Sequence, residues 1–119
     1  MEYEDYQYLR FERPGKGILL IKINRPEVLN ATNARLHNEL TYVWSTVEAD
    51  DLTNVVVITG EGDKAFSAGG DMDLIEGMIG NSEEILRVQK EARDLVYNIL
   101  AFEKPVISAI NGVAVGAGL

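Results

Sequence analysis

The feature that most constrains this chain is the change of hydrophobic period along it. Residues 54–59, Asn-Val-Val-Val-Ile-Thr, form a largely β-branched run, which reads as a strand covered on both faces within a parallel sheet. Upstream, Leu36, Leu40, Val43 and Val47 recur every three or four residues, the apolar stripe of an amphipathic helix starting near Thr32 and ending near Asp50-Asp51. Downstream, Ser82-Glu83-Glu84 offers an N-cap and a negative first turn for another helix. Its expected buried face is Ile85, Val88, Ala92, Leu95, Val96 and Ile99, and Pro105 stops it. Residues 106–110 read as a further buried strand. Near the start, residues 6–12 and 18–23 flank Pro14-Gly15-Lys16-Gly17 as the two arms of a hairpin. Strands alternating with helices define an α/β layered fold with a largely parallel sheet.

Composition narrows the function. A chain of 119 residues with 46% hydrophobic and 25% charged residues has the material for one core. Its net charge of −8 opposes binding to a phosphate backbone or an anionic bilayer, so neither nucleic acid nor membrane is expected as a partner. The absence of Cys removes disulfides, thiolate metal sites and Cys nucleophiles, and fits a cytoplasmic setting. The acidic, aromatic start, Met-Glu-Tyr-Glu-Asp-Tyr, lacks the basic and apolar regions of a secretory signal.

Two glycine-rich turns carry the chemistry. Ala65-Phe66-Ser67-Ala68-Gly69-Gly70 follows one strand and precedes a short helix opened by Asp71-Met72-Asp73, and residues 111–119 form a second such turn after the last strand. Residues 65–70 look too glycine-rich for a regular element. A helix start exposes unbonded N–H groups and a partial positive charge, and glycine lets the backbone approach a ligand closely. Two such amides aimed at one point would make an oxyanion hole. Tight strand-to-helix connections alone would need the same glycines, and the residues by themselves leave both readings open.

At these turns the chain resembles the crotonase, or enoyl-CoA hydratase/isomerase, family. Ala65-Phe66-Ser67-Ala68-Gly69-Gly70-Asp71-Met72 is similar to its A-F-x-A-G-x-D-[LMI] signature, Arg25-Pro26-Glu27-Val28-Leu29-Asn30-Ala31 to its R-P-x-x-x-N-A segment, and residues 104–118 to its K-P-[VT]-I-A-A-[IV]-N-G-x-A-x-G-G-G segment. The resemblance implies a crotonase-like layered fold of ββα superhelical repeats, with residues 1–119 as the truncated N-terminal part of a single domain. It implies an enzyme of fatty-acid metabolism acting on acyl-CoA thioesters, as hydratase, isomerase or hydrolase, with coenzyme A entering as part of the substrate and no separate cofactor or metal. The backbone N–H groups of Gly70 and Ala117 would hold the thioester enolate, while Asn30, Ala31, Ala68, Asp71, Met72 and Asp73 would line the CoA site. Homotrimers or hexamers are implied for a complete protein. Ala117 stands where the family usually has glycine, yet its main-chain donor is retained. The family's two catalytic glutamates match positions beyond Leu119, so this segment alone is expected to be inactive. The alternative is a non-catalytic CoA-thioester-binding or assembly subunit of the same fold.

Other motifs are weaker. Ser67 lies in an elbow-like sequence, but the one histidine, His37, is upstream on a helix and is expected on its polar side. Asp71 and Asp73 lack the further ligands of a calcium loop and read as acidic helix-start residues. Gly116-Ala117-Gly118 is too late in the chain for a dinucleotide turn, and residues 60–64 lack the Gly-Lys-Ser/Thr of a phosphate loop. Trp44 and the early tyrosines read as packing residues.

Overall fold

The N-terminal hairpin forms from β1 (Leu9–Gly15) and β2 (Ile18–Ile23), paired antiparallel from Leu9 opposite Ile23 to Gly15 opposite Ile18, with a register shift between Glu12 and Gly15. The computed structural model describes residues 2–119; Met1, the first residue of the acidic start, lies outside them. Helix α1 (Ala34–Glu48) follows, its N-cap made by Asn33, whose side chain accepts from the Leu36 amide at 2.8 Å. Strand β3 (Val55–Gly60) then lies parallel to β2, with Ile18 opposite Val55 and Ile23 opposite Gly60. After β4 (Ala65–Ser67) come α2 (Met72–Met78) and α3 (Ser82–Ala101), then β5 (Val106–Ser108) and β6 (Val113–Ala114). The main sheet has the order β1-β2-β3-β5, and β4 and β6 form a separate parallel pair.

The core sits on one face of the main sheet. Leu19, Ile21 and Ile23 of β2 and Val56 and Ile58 of β3 meet Leu36, Val43, Trp44 and Val47 of α1, with Tyr6 and Leu9 closing one end. The helical stripe therefore lies where its period places it. Phe102 packs edge-on against Trp44 at 5.4 Å between ring centroids. Glu39, on the same helix, is fully buried because its carboxylate accepts the Gln7 and Tyr8 amides, which pins the chain entering β1. Among the described residues no helix is long and apolar enough to cross a membrane.

Several expectations change. Strand β3 alternates between buried and half-buried residues, because only one of its faces is packed by helix. Residues 65–67 do form a strand: the pairing with β6, from a segment nearly fifty residues on, supplies the ladder that composition argued against. The N-cap of α3 is Asn81 rather than Ser82. Its apolar face is only partly covered, with Val96 56% exposed and Ala92 exposed, since the helix meets α1 through a polar contact centred on Glu91, its one buried residue among those described. Strand β5 is short and mostly exposed because it is the sheet edge, so residues 106–110 are not a buried strand. His37 does lie on the polar side of α1, where it is half-buried with its Nδ1 2.5 Å from Glu91 Oε1.

Candidate active site

The two glycine-rich turns meet. Strand β4 has β6 along one side, and the chain that continues from it pairs on the other side with residues 29–32. There the Ala68 amide donates to the Leu29 carbonyl at 3.1 Å, the Thr32 amide to the Gly69 carbonyl at 2.7 Å and the Asp71 amide to the Thr32 carbonyl at 2.9 Å. This parallel bridge between Thr32 and Gly70 orients the main chain. The amides and carbonyls of successive extended residues point to opposite sides, so the Gly70 N–H is turned away from Thr32.

Gly69 makes the approach possible. Its φ is +90°, and a Cβ there would sit 2.9 Å from the Val115 carbonyl and 3.4 Å from the Ala117 nitrogen. Gly118 is equally constrained: a Cβ would collide with the Ser67 carbonyl. Residues 116–118 form a single 3-10 turn in which the Gly118 amide bonds back to the Val115 carbonyl, and the backbone of Ala117 stays outside the left-handed region, so its methyl adds no strain. Gly70 and Ala117 are exposed residues, and their amides donate to no acceptor among the described residues.

The remaining sequence-derived positions divide between scaffold and surface. Asn30 is buried, with φ +56°; its side chain accepts from the Arg25 amide and donates to the Glu61 and Ala65 carbonyls, so its amide group is spent inside the protein. The Ala31 carbonyl accepts from Arg25 at 2.6 Å. The Ala68 carbonyl accepts no hydrogen bond among the described residues. Asp71 caps α2 through the Leu74 amide at 2.9 Å and pairs with Arg25 at 2.9 Å. Burial opposes its ionisation, but the Leu74 amide and the Arg25 guanidinium outweigh that and hold the carboxyl below its usual range. Met72 and Asp73 are exposed on the first turn of α2. Ser67 is buried, its hydroxyl donating to the Asn30 carbonyl at 3.0 Å and accepting from the Gly69 amide at 3.2 Å, which makes it a brace for the turn. No cluster of potential metal ligands occurs among the described residues.

Beside Ala117 opens a cleft of about 360 Å³, lined by Ile23, Ile58, Phe66, Leu95 and Ile99 among others, with Ser67, Thr32 and Gly118 at its polar margin. Its size and apolar walls are those of a small-molecule site. No side chain in its lining is a carboxylate, imidazole or ammonium group. Thr32 and Arg25, which brace the turn, act through contacts across some 40 residues of sequence and carry no local signal of that role.

With this geometry in view, comparison with known proteins is specific. The Enoyl-CoA hydratase/isomerase family model matches residues 13–119, and the chain belongs to that family. It is 36% identical over 107 residues to a short-chain-enoyl-CoA hydratase of Clostridium acetobutylicum, covering 90% of this chain and 40% of that protein. A 1,2-epoxyphenylacetyl-CoA isomerase of Escherichia coli is 37% identical over 105 residues, covering 87% and 40%. Among solved structures, an enoyl-CoA hydratase/isomerase from Mycobacterium paratuberculosis superposes with a TM-score of 0.86 at 32% identity, covering 93% of this chain and 44% of that one. The fold is thus that of the crotonase-type enzymes, and the chain spans about two fifths of the length of the relatives it matches.

Proposed function

We propose that this chain, as the N-terminal part of a single crotonase-like domain, contributes the enolate-stabilising part of an acyl-CoA hydratase or isomerase site. The observation that carries the reading is the pair of unpartnered amides, Gly70 and Ala117, on two turns brought side by side at Gly69. Two preorganised N–H donors lower the energy of a thioester carbonyl as negative charge moves onto its oxygen. The apolar cleft beside Ala117 suits an acyl chain, while residues 29–32, paired with residues 68–71, and the start of α2 flank Gly70, where the CoA moiety would run. Coenzyme A then arrives as part of the substrate.

A second reading has its own support. Because no side chain in the cleft lining is an acid or base, the described side chains can hold developing charge there but cannot move protons, as a CoA-thioester-binding subunit would also do.

The test uses a 3-ketoacyl-CoA, whose enolate absorbs in the near ultraviolet, titrated into the 119-residue chain. The enolate band is expected on the native chain, with shifts of the Gly70 and Ala117 amide resonances. Gly70→Pro removes one donor that has no internal acceptor, and is expected to weaken the band at least about 100-fold without loss of fold. No band and no amide shifts, or a well-folded Gly70→Pro with the native response, would overturn the assignment. Turnover of a short-chain 2-enoyl-CoA by the 119-residue chain alone is expected under neither reading. A protein extended through the two glutamate positions that the family matches beyond Leu119 separates them, turnover there favouring the hydratase or isomerase site and enolate binding without turnover favouring the binding role.

A further inference from the structure

Arg25 stands at the junction of the two segments that orient Gly70. A single nitrogen, Nη1, donates to the Ala31 carbonyl at 2.6 Å and to Asp71 Oδ2 at 2.9 Å. Ala31 immediately precedes Thr32, and Asp71 immediately follows Gly70. The guanidinium therefore ties together, from the side chain, the same two stretches that the Thr32–Gly70 bridge joins through the main chain. Its carbon lies 5.3 Å from the centre of the Tyr8 ring, which holds the planar group from one side.

The setting makes this contact stronger than an ordinary surface pair. The side chains of Arg25 and Asp71 are only 13% and 14% exposed, so water screens them little. Arg25 Nε is buried with no acceptor, so the guanidinium is kept here against the cost of an unpaired donor. Asp71 meanwhile uses its other oxygen to cap α2, so the pair sets the start of that helix as well as the peptide before it.

From this we infer that Arg25 is a positioning residue: by clamping Ala31 to Asp71 it holds the Gly70 N–H turned away from Thr32 and toward the gap beside Ala117. The inference rests on the reading of Gly70 as a thioester-oxygen donor. Lysine is only a partial substitute: an ammonium can reach both acceptors as Nη1 does, but a point charge on a flexible stem lacks the planar group that stacks on Tyr8.

Amide hydrogen exchange on the 119-residue chain tests it. In Arg25→Gln, protection of the Thr32 and Asp71 amides is expected to fall about tenfold or more while the Val56 amide in β3 stays within about twofold of native. The Gly70 amide resonance moves, and the enolate band with the 3-ketoacyl-CoA weakens about tenfold, with Arg25→Lys recovering only part of it. Asp71→Asn keeps a capping oxygen but loses the charge, so it reports on the same clamp if Arg25→Gln fails to fold. Native protection at Thr32 and Asp71 in a folded variant, or an equal loss across the whole chain, overturns the inference. The two ideas fail separately. If Gly70→Pro leaves the band unchanged, the donor assignment falls whatever exchange shows; if Gly70→Pro removes the band but Arg25→Gln leaves exchange native, only the positioning role falls.

Discussion

Individual side chains in this protein hold loops by accepting several hydrogen bonds at once. Asp50, just beyond α1, takes bonds from the Tyr3 hydroxyl at 2.6 Å, the Thr53 hydroxyl at 2.8 Å and the Leu52 amide at 3.0 Å, and pairs with Arg13. Burial works against its charge, but those donors outweigh it and hold the carboxyl well below the usual carboxylate range. A depressed folded pKa contributes stability that is present above the unfolded value of about 3.9 and is lost as pH falls through the folded one. The unfolding midpoint is therefore expected to drop as pH falls below about 4, and Asp50→Asn is expected to cost about 2 kcal/mol at neutral pH and to flatten that dependence. Thermal denaturation of both proteins across the acid range checks this, and parallel curves would reject it. Tyr3 answers at the other extreme: burial first, then its bond to Asp50, push its pKa up to about 12, so its contribution is present below its ordinary value of about 10 and lost as pH rises through about 12. Asn30 illustrates the same economy at the candidate site, where two successive left-handed residues, Leu29 and Asn30, are stabilised by the bonds of one amide side chain.

At the level of elements, the contact between α1 and α3 decides how the cleft is walled. Glu91 of α3 is buried and accepts from Asn38 Nδ2 and Arg87 Nη1 and pairs with His37, while Asn98 Nδ2 donates to the Thr41 carbonyl. Leu95, Val96 and Ile99, one to two turns further along α3, line the cleft beside Ala117. Removing the carboxylate leaves the half-buried His37 and Asn38 side chains without their acceptor, while Arg87 keeps Glu84, so Glu91→Ala is expected to cost about 2 kcal/mol and to loosen α3 before the sheet. Urea denaturation gives the size, and exchange of α3 amides compared with those of β3 gives the order. A loss of less than about 0.5 kcal/mol would show that the half-buried apolar residues alone hold the helix.

Across the whole molecule, apolar surface is unevenly covered. Leu86, Tyr97 and Leu100 on α3 and Ile107 and Ile110 at and beyond the β5 edge are all more than half exposed, with Leu100 at 79%. Patches of this kind drive association, and β5 also presents an unpaired strand edge. The 119-residue chain is expected to self-associate with rising concentration, and Leu100→Lys with Ile107→Lys is expected to shift the equilibrium toward monomer. Sedimentation velocity over a hundredfold concentration range checks it, and a monomer throughout would contradict it. Legibility at this scale followed distance along the chain. The stripe of Leu36, Val43 and Val47 and the run of β3 could be read directly, since period reports local geometry. The pairing of β4 with β6 and the half-open face of α3 could not, since both depend on partners far away in sequence.

The sequence by itself determined the longer elements, the α/β class and, through three motif blocks, the family, because backbone propensity and burial period act over a few residues and are written there. Tertiary structure decided which amides stay unpaired, that Arg25 reaches Asp71 across 46 positions, that Ser67 and Asn30 face inward as braces, and that the cleft is walled largely by apolar side chains from β2, β3 and α3. These depend on the register and approach of distant strands, and a one-residue slip between them would reverse which way each N–H points.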